Sequence, residues 1–216
     1  MRRNAVLALL VCACAQQMDA ARETGDLAPV RDAVEREGES WAHFALDMRI
    51  SGFDPFRFND RGSTTAMHQV LEPLLEFAYA DRPYRLAPGL AGLPGVSSGG
   101  RVHTFRLEEA RFYDPWEQPL WEGRTRVATS RDVLGGILRH ADPHVNSVGW
   151  WTLDGLIEGL DEWRAVAGRL APGSKELRRH YEAGASGGVT GLATPNDRAV
   201  VFRLTRADPR FHQVLA

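Results

Sequence analysis

The sequence predicts an α/β fold, with strands and helices interspersed along the chain. Residues 101–107 and 199–205 are short runs of bulky and β-branched residues, which are typical of strands. Residues 130–141 and 160–170 place apolar side chains three and four positions apart, which is the spacing of one helix face. A chain of 216 residues with 44% hydrophobic residues is long enough to bury the core that such a fold requires.

Before residue 101 the pattern predicts short elements joined by turns. Residues 41–50 are apolar and strand-like, and Gly-Phe-Asp-Pro at 52–55 is a turn signal. Residues 74–79 are expected to form a second short strand. Residues 83–100 are rich in Pro, Gly and Ser, so we expect a loop there.

The hydroxyl cluster Ser63, Thr64 and Thr65 has two interpretations. A hydroxyl oxygen accepts hydrogen bonds from free backbone N–H groups, so these residues predict a helix N-cap, and Pro73 predicts that this helix ends near Leu71. Alternatively, the hydroxyls line a cleft and bond the backbone of a peptide ligand.

After residue 107 the signals are uneven. Residues 114–125 are interrupted by two prolines and predict irregular structure. Thr129 and Asp132 have the spacing of a capping box, which predicts that a helix starts there and ends at Asp142 before a proline. Residues 172–191 are rich in glycine and give no assignment, whereas 211–216 resemble the start of a helix.

The first residues predict an export signal that lies outside the fold. Two arginines precede the short apolar run 5–15, which fits a signal peptide over residues 1–15 and is too short to span a bilayer. The sequence around Cys14 resembles a bacterial lipobox with Cys14 as the lipidated residue. Ordinary cleavage after Ala15 and a buried N-terminal helix stay open as alternatives. Residues 16–40 are polar and predict a tether before the domain at 41–216.

Charge and cysteine content exclude several classes of protein. The formal net charge of −2 gives no sign of a nucleic-acid binder. Both cysteines lie within residues 1–15, so a disulfide-stabilised scaffold is excluded. No sequence feature calls for a cofactor.

Two patterns suggest chemistry, but each also has a structural explanation. Residues 95–99 match the G-x-S-x-G pattern of serine hydrolases, in which Ser97 would be the nucleophile. That pattern is meaningful only at a sharp strand-to-helix turn, and a predicted strand follows, so a surface turn is favoured. His140, Asp142 and His144 suggest a metal site, but Pro143 breaks the helix between the histidines, so a solvated helix end is favoured.

The neighbouring residues Trp150 and Trp151 also have two interpretations. Adjacent aromatic side chains do not easily point into one core, so one of them is a candidate wall of a ligand cleft. Packing in a core or between domains is the favoured alternative.

Several segments, in this order, resemble the N-terminal part of the bacterial extracellular solute-binding proteins of family 5. Near the start, 53–55 (FDP) resembles the family segment L-D-P, and 70–77 (VLEPLLEF) resembles V-Y-E-P/G-L-L-x-Y. In the middle, 102–107 (VHTFRL) resembles Y-T-F-x-L-R, and 110–114 (ARFYD) resembles G-V-x-F-H-D. Further on, 127–133 (VATSRDV) resembles V-T-A-E-D-V, and 201–211 resembles I-R-L-x-x-P-x-P-x-F. The resemblance covers about Ile50 to Ala216.

The resemblance implies a periplasmic-binding-protein-like class II fold with two lobes, of which this chain is an N-terminal fragment with a mixed sheet and flanking helices. It implies a peptide ligand captured in the periplasm and delivered to the permease subunits of an ABC importer, without catalysis. A monomer is expected, and membrane contact is expected only through the lipid anchor.

The resemblance also leaves alternatives open. A binder of nickel, haem, an oligosaccharide or an opine would share the architecture, because a fold does not determine the ligand. Family members are longer than this chain, so a truncated product that binds peptide poorly by itself is expected. A third hypothesis, from a different functional class, is a secreted serine hydrolase that uses Ser97.

Overall fold

The computed structural model describes residues 48–78, 80–113 and 125–216, and Ile50–Ala216 form one compact unit. The predictions for the signal peptide, Cys14 and the tether lie outside the described residues, as does the irregular segment predicted at 114–125 except for Thr125, which begins a strand. Most of the strand predicted at 41–50 also lies outside them, and its residues 48–50 are not extended into a strand. In the described part of the chain, no helix is both long and apolar enough to cross a membrane.

The elements of the described chain are five α-helices and eight strands. The α-helices are α1 (Arg61–Met67), α2 (Ser130–Ala141), α3 (Leu160–Ala167), α4 (Lys175–Ala183) and α5 (Phe211–Val214). The strands are β1 (Leu75–Phe77), β2 (Leu86–Pro88), β3 (Gly95–Ser97), β4 (Val102–Arg106), β5 (Arg111–Tyr113), β6 (Thr125–Val127), β7 (Leu192–Asn196) and β8 (Ala199–Arg203). A 3-10 turn covers Trp150–Thr152, and an irregular π-type turn covers Gly184–Gly188.

The central sheet has four strands in the order β3-β4-β8-β7. Two separate hairpins, β1–β2 and β5–β6, complete the strand pairings. Every ladder among the described strands is antiparallel. Helices interspersed with sheets confirm the predicted α/β class.

One face of the central sheet forms the core. His103 lies opposite Phe202 in the β4–β8 ladder, and Phe105 lies opposite Val200. All four side chains are buried, whereas the alternate residue Thr104 on the other face is only half-buried. This alternation is what the strand predictions at 101–107 and 199–205 expect, and it confirms them.

Helices α2 and α3 supply the other half of the core. Helix α2 buries Leu134 and Leu138 and packs against β7 and β8, and α3 buries Leu160 and Trp163 beside it. The predicted capping box opens α2, since the Thr129 backbone N–H donates to the Asp132 carboxylate at 2.7 Å. The predicted end at Asp142 is also confirmed.

Helix α1 differs from the prediction at both ends. Asp60, not the hydroxyl cluster, is the N-cap, because its side chain accepts a hydrogen bond from the Ser63 N–H at 2.9 Å. The helix ends at Met67 rather than near Leu71, and Leu71 is exposed. Val70 and Leu71, which continue the helical period after Met67, are both exposed and cover no core.

Five further elements were missed because their local composition is weak. The predicted loop 83–100 contains β2 and β3, which are short strands stabilised by pairing with β1 and β4. Strands β5 and β6 stand on either side of residues 114–124, which the structure does not describe. Helix α4 buries only Leu177, so its apolar period was too sparse to find in the sequence.

Candidate functional site

The hydroxyl cluster on α1 divides into one buried and two outer residues. The Ser63 side chain is 0% exposed, and its Oγ donates to Asp60 Oδ2 at 2.7 Å. The same Oγ accepts hydrogen bonds from the N–H groups of Ser51 and Gly52 at 2.9 and 3.2 Å. Ser63 therefore fastens the segment before the first turn to α1, and its hydroxyl has no capacity left for a ligand.

The two threonines that follow are accessible to a ligand. Thr64 is half-buried and Thr65 is exposed on the outer side of α1.

The hydrogen bonds from Ser63 also lower the pKa of the Asp60 carboxyl, and the bond from the Ser63 N–H has the largest effect. The N-cap Asp60 therefore stays ionised at neutral pH.

The two tryptophans of the 3-10 turn have different environments. Trp150 is half-buried, its Nε1–H donates to Asp154 Oδ1 at 3.1 Å, and the Arg164 guanidinium lies 4.5 Å above its ring centre. Trp151, next to it, is 78% exposed. An indole with that exposure is a candidate contact for a ligand or partner, because aromatic side chains give large contact area at low entropic cost.

A single turn links the region of α1 to the region of the tryptophans. Residues 54–58 form a turn that overlaps the turn signal predicted at 52–55, and the N–H groups of Arg57 and Phe58 donate to Asp54 O at 3.1 Å. The Val148 N–H donates to Phe56 O at 2.8 Å, just before the tryptophans. The Phe56 ring also lies 5.2 Å from that of His140 at the end of α2.

An ion pair that the sequence did not reveal fixes this turn. Arg139 on α2 donates to both carboxylate oxygens of Asp54, at 2.8 and 2.6 Å. The hydrogen bonds from Arg139 hold the pKa of the Asp54 carboxyl below its usual value, and Asp54 in turn raises the pKa of Arg139. Thr64 and Thr65 on α1 and Trp151 on the 3-10 turn therefore belong to two segments that both connect to the turn at residues 54–58.

The histidines near the end of α2 do not converge on a common point. His144 Nδ1 lies 2.8 Å from Asp142 Oδ1, whereas His140 Nδ1 lies 2.7 Å from the Ser147 hydroxyl. Burial lowers the pKa of His140. Asp142, only 4% exposed, also accepts a hydrogen bond from the Tyr181 hydroxyl at 2.7 Å, so it joins three segments of the fold.

Ser97 lies at the end of β3, where a tight turn leads directly into β4. Ser98, Gly99 and Gly100 all have positive φ angles in this turn. A strand, not a helix, follows Ser97, so the strand-to-helix turn that a hydrolase nucleophile requires is not formed there. This confirms the favoured interpretation as a surface turn between strands.

A shallow pocket of about 190 Å³ lies elsewhere on the surface, at the start of α4. Its lining residues are Gly173, Ser174, Leu177, Arg178 and Tyr181. Pockets that enclose small molecules are usually about 300 Å³ or larger. This pocket is therefore a weaker candidate than the surface around Trp151.

Comparisons with known proteins find similarity at the level of structure. No protein-family model matches the sequence, and no curated protein matches it. The pheromone receptor PrgZ, whose structure shows its mode of peptide binding, superposes with a TM-score of 0.55 at 20% identity over 77% of this chain. OppA of Listeria monocytogenes bound to peptide gives 0.55 at 16% identity over 78%, and the murein tripeptide binding protein MppA of Escherichia coli gives 0.52 at 17% over 79%.

The chain has the fold of family 5 solute-binding proteins. This confirms the fold that the sequence resemblance implies, which is the fold of one part of the two-lobed periplasmic binding proteins. The chain spans 27% of the length of PrgZ and of OppA of Listeria monocytogenes, and 28% of the length of MppA of Escherichia coli.

Proposed function

We propose that the protein acts in the capture of peptides, as the substrate-binding component of a peptide ABC importer, and not as an enzyme. The observation that carries this proposal is the shared fold with PrgZ, OppA and MppA, each of which is described as a peptide-binding protein. The hairpin geometry at Ser97 supports a binding role over the hydrolase alternative.

In this proposal, Trp151 and the outer threonines Thr64 and Thr65 form part of the peptide-contacting surface. The threonine hydroxyls supply hydrogen-bonding groups for a peptide backbone, and the exposed indole supplies an apolar wall. Trp150 and Ser63 act indirectly: Trp150 positions its neighbour through Asp154 and Arg164, and Ser63 holds the start of α1.

The setting of this function is also proposed. Residues 1–15 direct the chain to the periplasm, and lipidation of Cys14 keeps it near the membrane, where it delivers peptide to the permease subunits as a monomer. One acyl chain binds a membrane only marginally, so a stable anchor requires more than one. Capture by closure requires that the peptide bind the closed form better than the open form.

The test uses the purified chain with a pool of short peptides. Because the chain spans 27% of PrgZ, we expect it to supply only part of the surface that encloses a peptide. Its dissociation constant for peptides should therefore be in the millimolar range, which corresponds to a binding free energy of about −4 kcal/mol. Backbone and indole N–H resonances should shift on peptide addition at Thr64, Thr65 and Trp151.

Trp151→Ala and Thr65→Ala should reduce these shifts. Tyr84→Ala is the matched control, because Tyr84 is another exposed aromatic residue, located between β1 and β2. Nickel, haem, an oligosaccharide and an opine are titrated in parallel. Shifts produced by one of these and not by peptides would replace the peptide assignment, and peptide-induced shifts confined to other parts of the chain would refute the site.

A further inference from the structure

A pair of histidines joins the sheet to the last described helix. His103 on β4 is 3% exposed and is the one polar residue among the paired positions Val96, His103, Phe202 and Leu192 that cross the central sheet. Phe202 and Leu192 are buried, whereas Val96 on the edge strand is 49% exposed. Its Nδ1 lies 2.7 Å from Nε2 of His212 on α5, which is 109 residues away in the sequence. Position 103 is where an aliphatic side chain would be expected for stability alone.

The hydrogen bonds fix where the protons are. The Gly100 carbonyl can only accept, and it lies 3.0 Å from His103 Nε2, so His103 carries its proton on Nε2. Its Nδ1 must then accept the hydrogen bond, and His212 must donate from Nε2. One added proton leaves a hydrogen bond between the rings intact, because the charged ring donates and the neutral ring accepts. When both rings are protonated, two N–H groups and two positive charges face each other.

Helix α5 depends on this contact. It has only four residues, so it is not stable without packing. Phe211 is fully buried against the rings of His103 and Phe202, at centroid distances of 5.0 and 5.3 Å. The Leu75 N–H also donates to Leu215 O at 3.1 Å, and Val214 and Leu215 pack against the core.

The surrounding charges do not neutralise the pair. Strand β3 carries no charged residue, and the segments packed around the pair bear these charged groups: Glu76, Arg101, Arg106, Arg203, Arg206, Asp208 and Arg210. Asp208 and Arg210 pair with each other at 3.6 Å. Burial, and then the charge of His103, lower the pKa of His212, and none of the other groups contributes to that shift.

We propose that His103 and His212 form a pH-sensitive latch, which holds α5 on the sheet while the pair carries at most one added proton and releases it when both rings are protonated. The direction of the pH dependence follows from the lowered pKa of His212. As the pH falls through about 6.5, His212 is protonated in the unfolded chain before it is protonated in the folded chain. The stability of the latched form is therefore complete above that pH and declines below it.

The test measures amide hydrogen exchange of the whole chain. Protection factors of residues 213–215, corrected for the intrinsic exchange rate, should fall at least about fivefold between pH of about 7.5 and about 5, the effect of two unit charges at contact distance even in water. The double variant His103→Leu/His212→Leu should abolish this change. His68→Gln, at an exposed histidine after α1, should leave it unchanged.

Protection that does not vary with pH in the unmodified chain would overturn the latch, as would an equal fall in the double variant. If the double variant does not fold, NMR titration of the unmodified chain decides. The latch predicts that the two histidine rings titrate in two coupled steps, with the Phe211 amide following the second. Two independent curves with no change at Phe211 would refute it.

Discussion

Asp54 and Arg139, which lie 85 residues apart in the sequence, form a two-pronged ion pair with N–O distances of 2.8 and 2.6 Å. The pair connects the turn before α1 to the last part of α2. It also fixes the turn that precedes α1 and bonds to Val148, so its removal should affect both stability and the position of the turn. The Asp54 side chain is 23% exposed and that of Arg139 is 43% exposed.

Arg139→Ala should reduce the free energy of unfolding by about 1 kcal/mol, the upper range for a pair with this exposure and geometry. Asp54→Asn should have a similar effect, and a double-mutant cycle measured by urea unfolding should give a coupling of about 0.5–1 kcal/mol. Arg210→Ala is the control, because Arg210 pairs with Asp208 only locally and is mostly exposed. Additive single effects would show that the pair contributes no coupling.

Ser63→Ala should destabilise the fold more than Thr64→Ala. The Ser63 hydroxyl is buried and serves Asp60, Ser51 and Gly52, so its removal leaves two N–H groups without their acceptor, at a cost of about 1–3 kcal/mol. Thr64 is half-buried on the same helix and gives the matched comparison. Thermal unfolding measures both, and equal losses would contradict the fastening role of Ser63.

The parts of the fold that depend on local signals were predictable from the sequence. The capping box of Thr129 and Asp132 and the alternation of Val200, Phe202 and Leu204 encode their structures within a few residues. These residues do not need distant partners to define a helix start or a strand face.

The features that were missed depend on distant partners. Strand β2 exists because β1 pairs with it, and Ser63 is buried because Ser51 and Gly52 donate to it. Nothing in the composition near Asp54 indicates that Arg139 will reach it. The proposed site shares this limitation, since the sequence marked residues 63–65 as a group but only the folded chain separates buried Ser63 from its exposed neighbour Thr65.

Asp142→Asn should remove a pH-dependent part of the stability. Burial of Asp142 opposes ionisation, but hydrogen bonds from Tyr181 and His144 outweigh it and lower the pKa of Asp142. Because the folded-state pKa lies below the unfolded value of 3.8, this contribution is complete above that pH and is lost as the pH falls through the lower, folded pKa. The melting temperature of the unmodified chain should therefore fall more steeply with acidification than that of Asp142→Asn.

Tyr181→Phe tests the same network without changing its charge. It removes the hydroxyl that donates to Asp142, and the loss should be about 1.5–3 kcal/mol because the acceptor is ionised. It should also make the remaining dependence of stability on Asp142 shallower as the pH falls below 3.8. A variant as stable as the unmodified chain, with the same acid profile, would show that Tyr181 does not stabilise the ionised carboxylate.

Two glycines with nearly equal backbone angles allow strain to be separated from crowding. Gly159, before α3, has φ of 77°, and a Cβ there would lie 2.6 Å from Thr190 Oγ1. Gly173, before α4, has φ of 73° and nothing within 4 Å of such a Cβ. Gly173→Ala should cost about 1 kcal/mol from the left-handed backbone alone.

Gly159→Ala should cost about 1–3 kcal/mol more than Gly173→Ala, because Thr190 must move or strain to admit the methyl group. Urea unfolding of the two variants measures this difference directly. Adding Thr190→Ala to Gly159→Ala should recover part of the difference, since its Oγ1 is the atom nearest the new methyl group. Equal destabilisation by the two alanine substitutions would show that Thr190 yields without cost, and that backbone strain alone sets the requirement for glycine before α3.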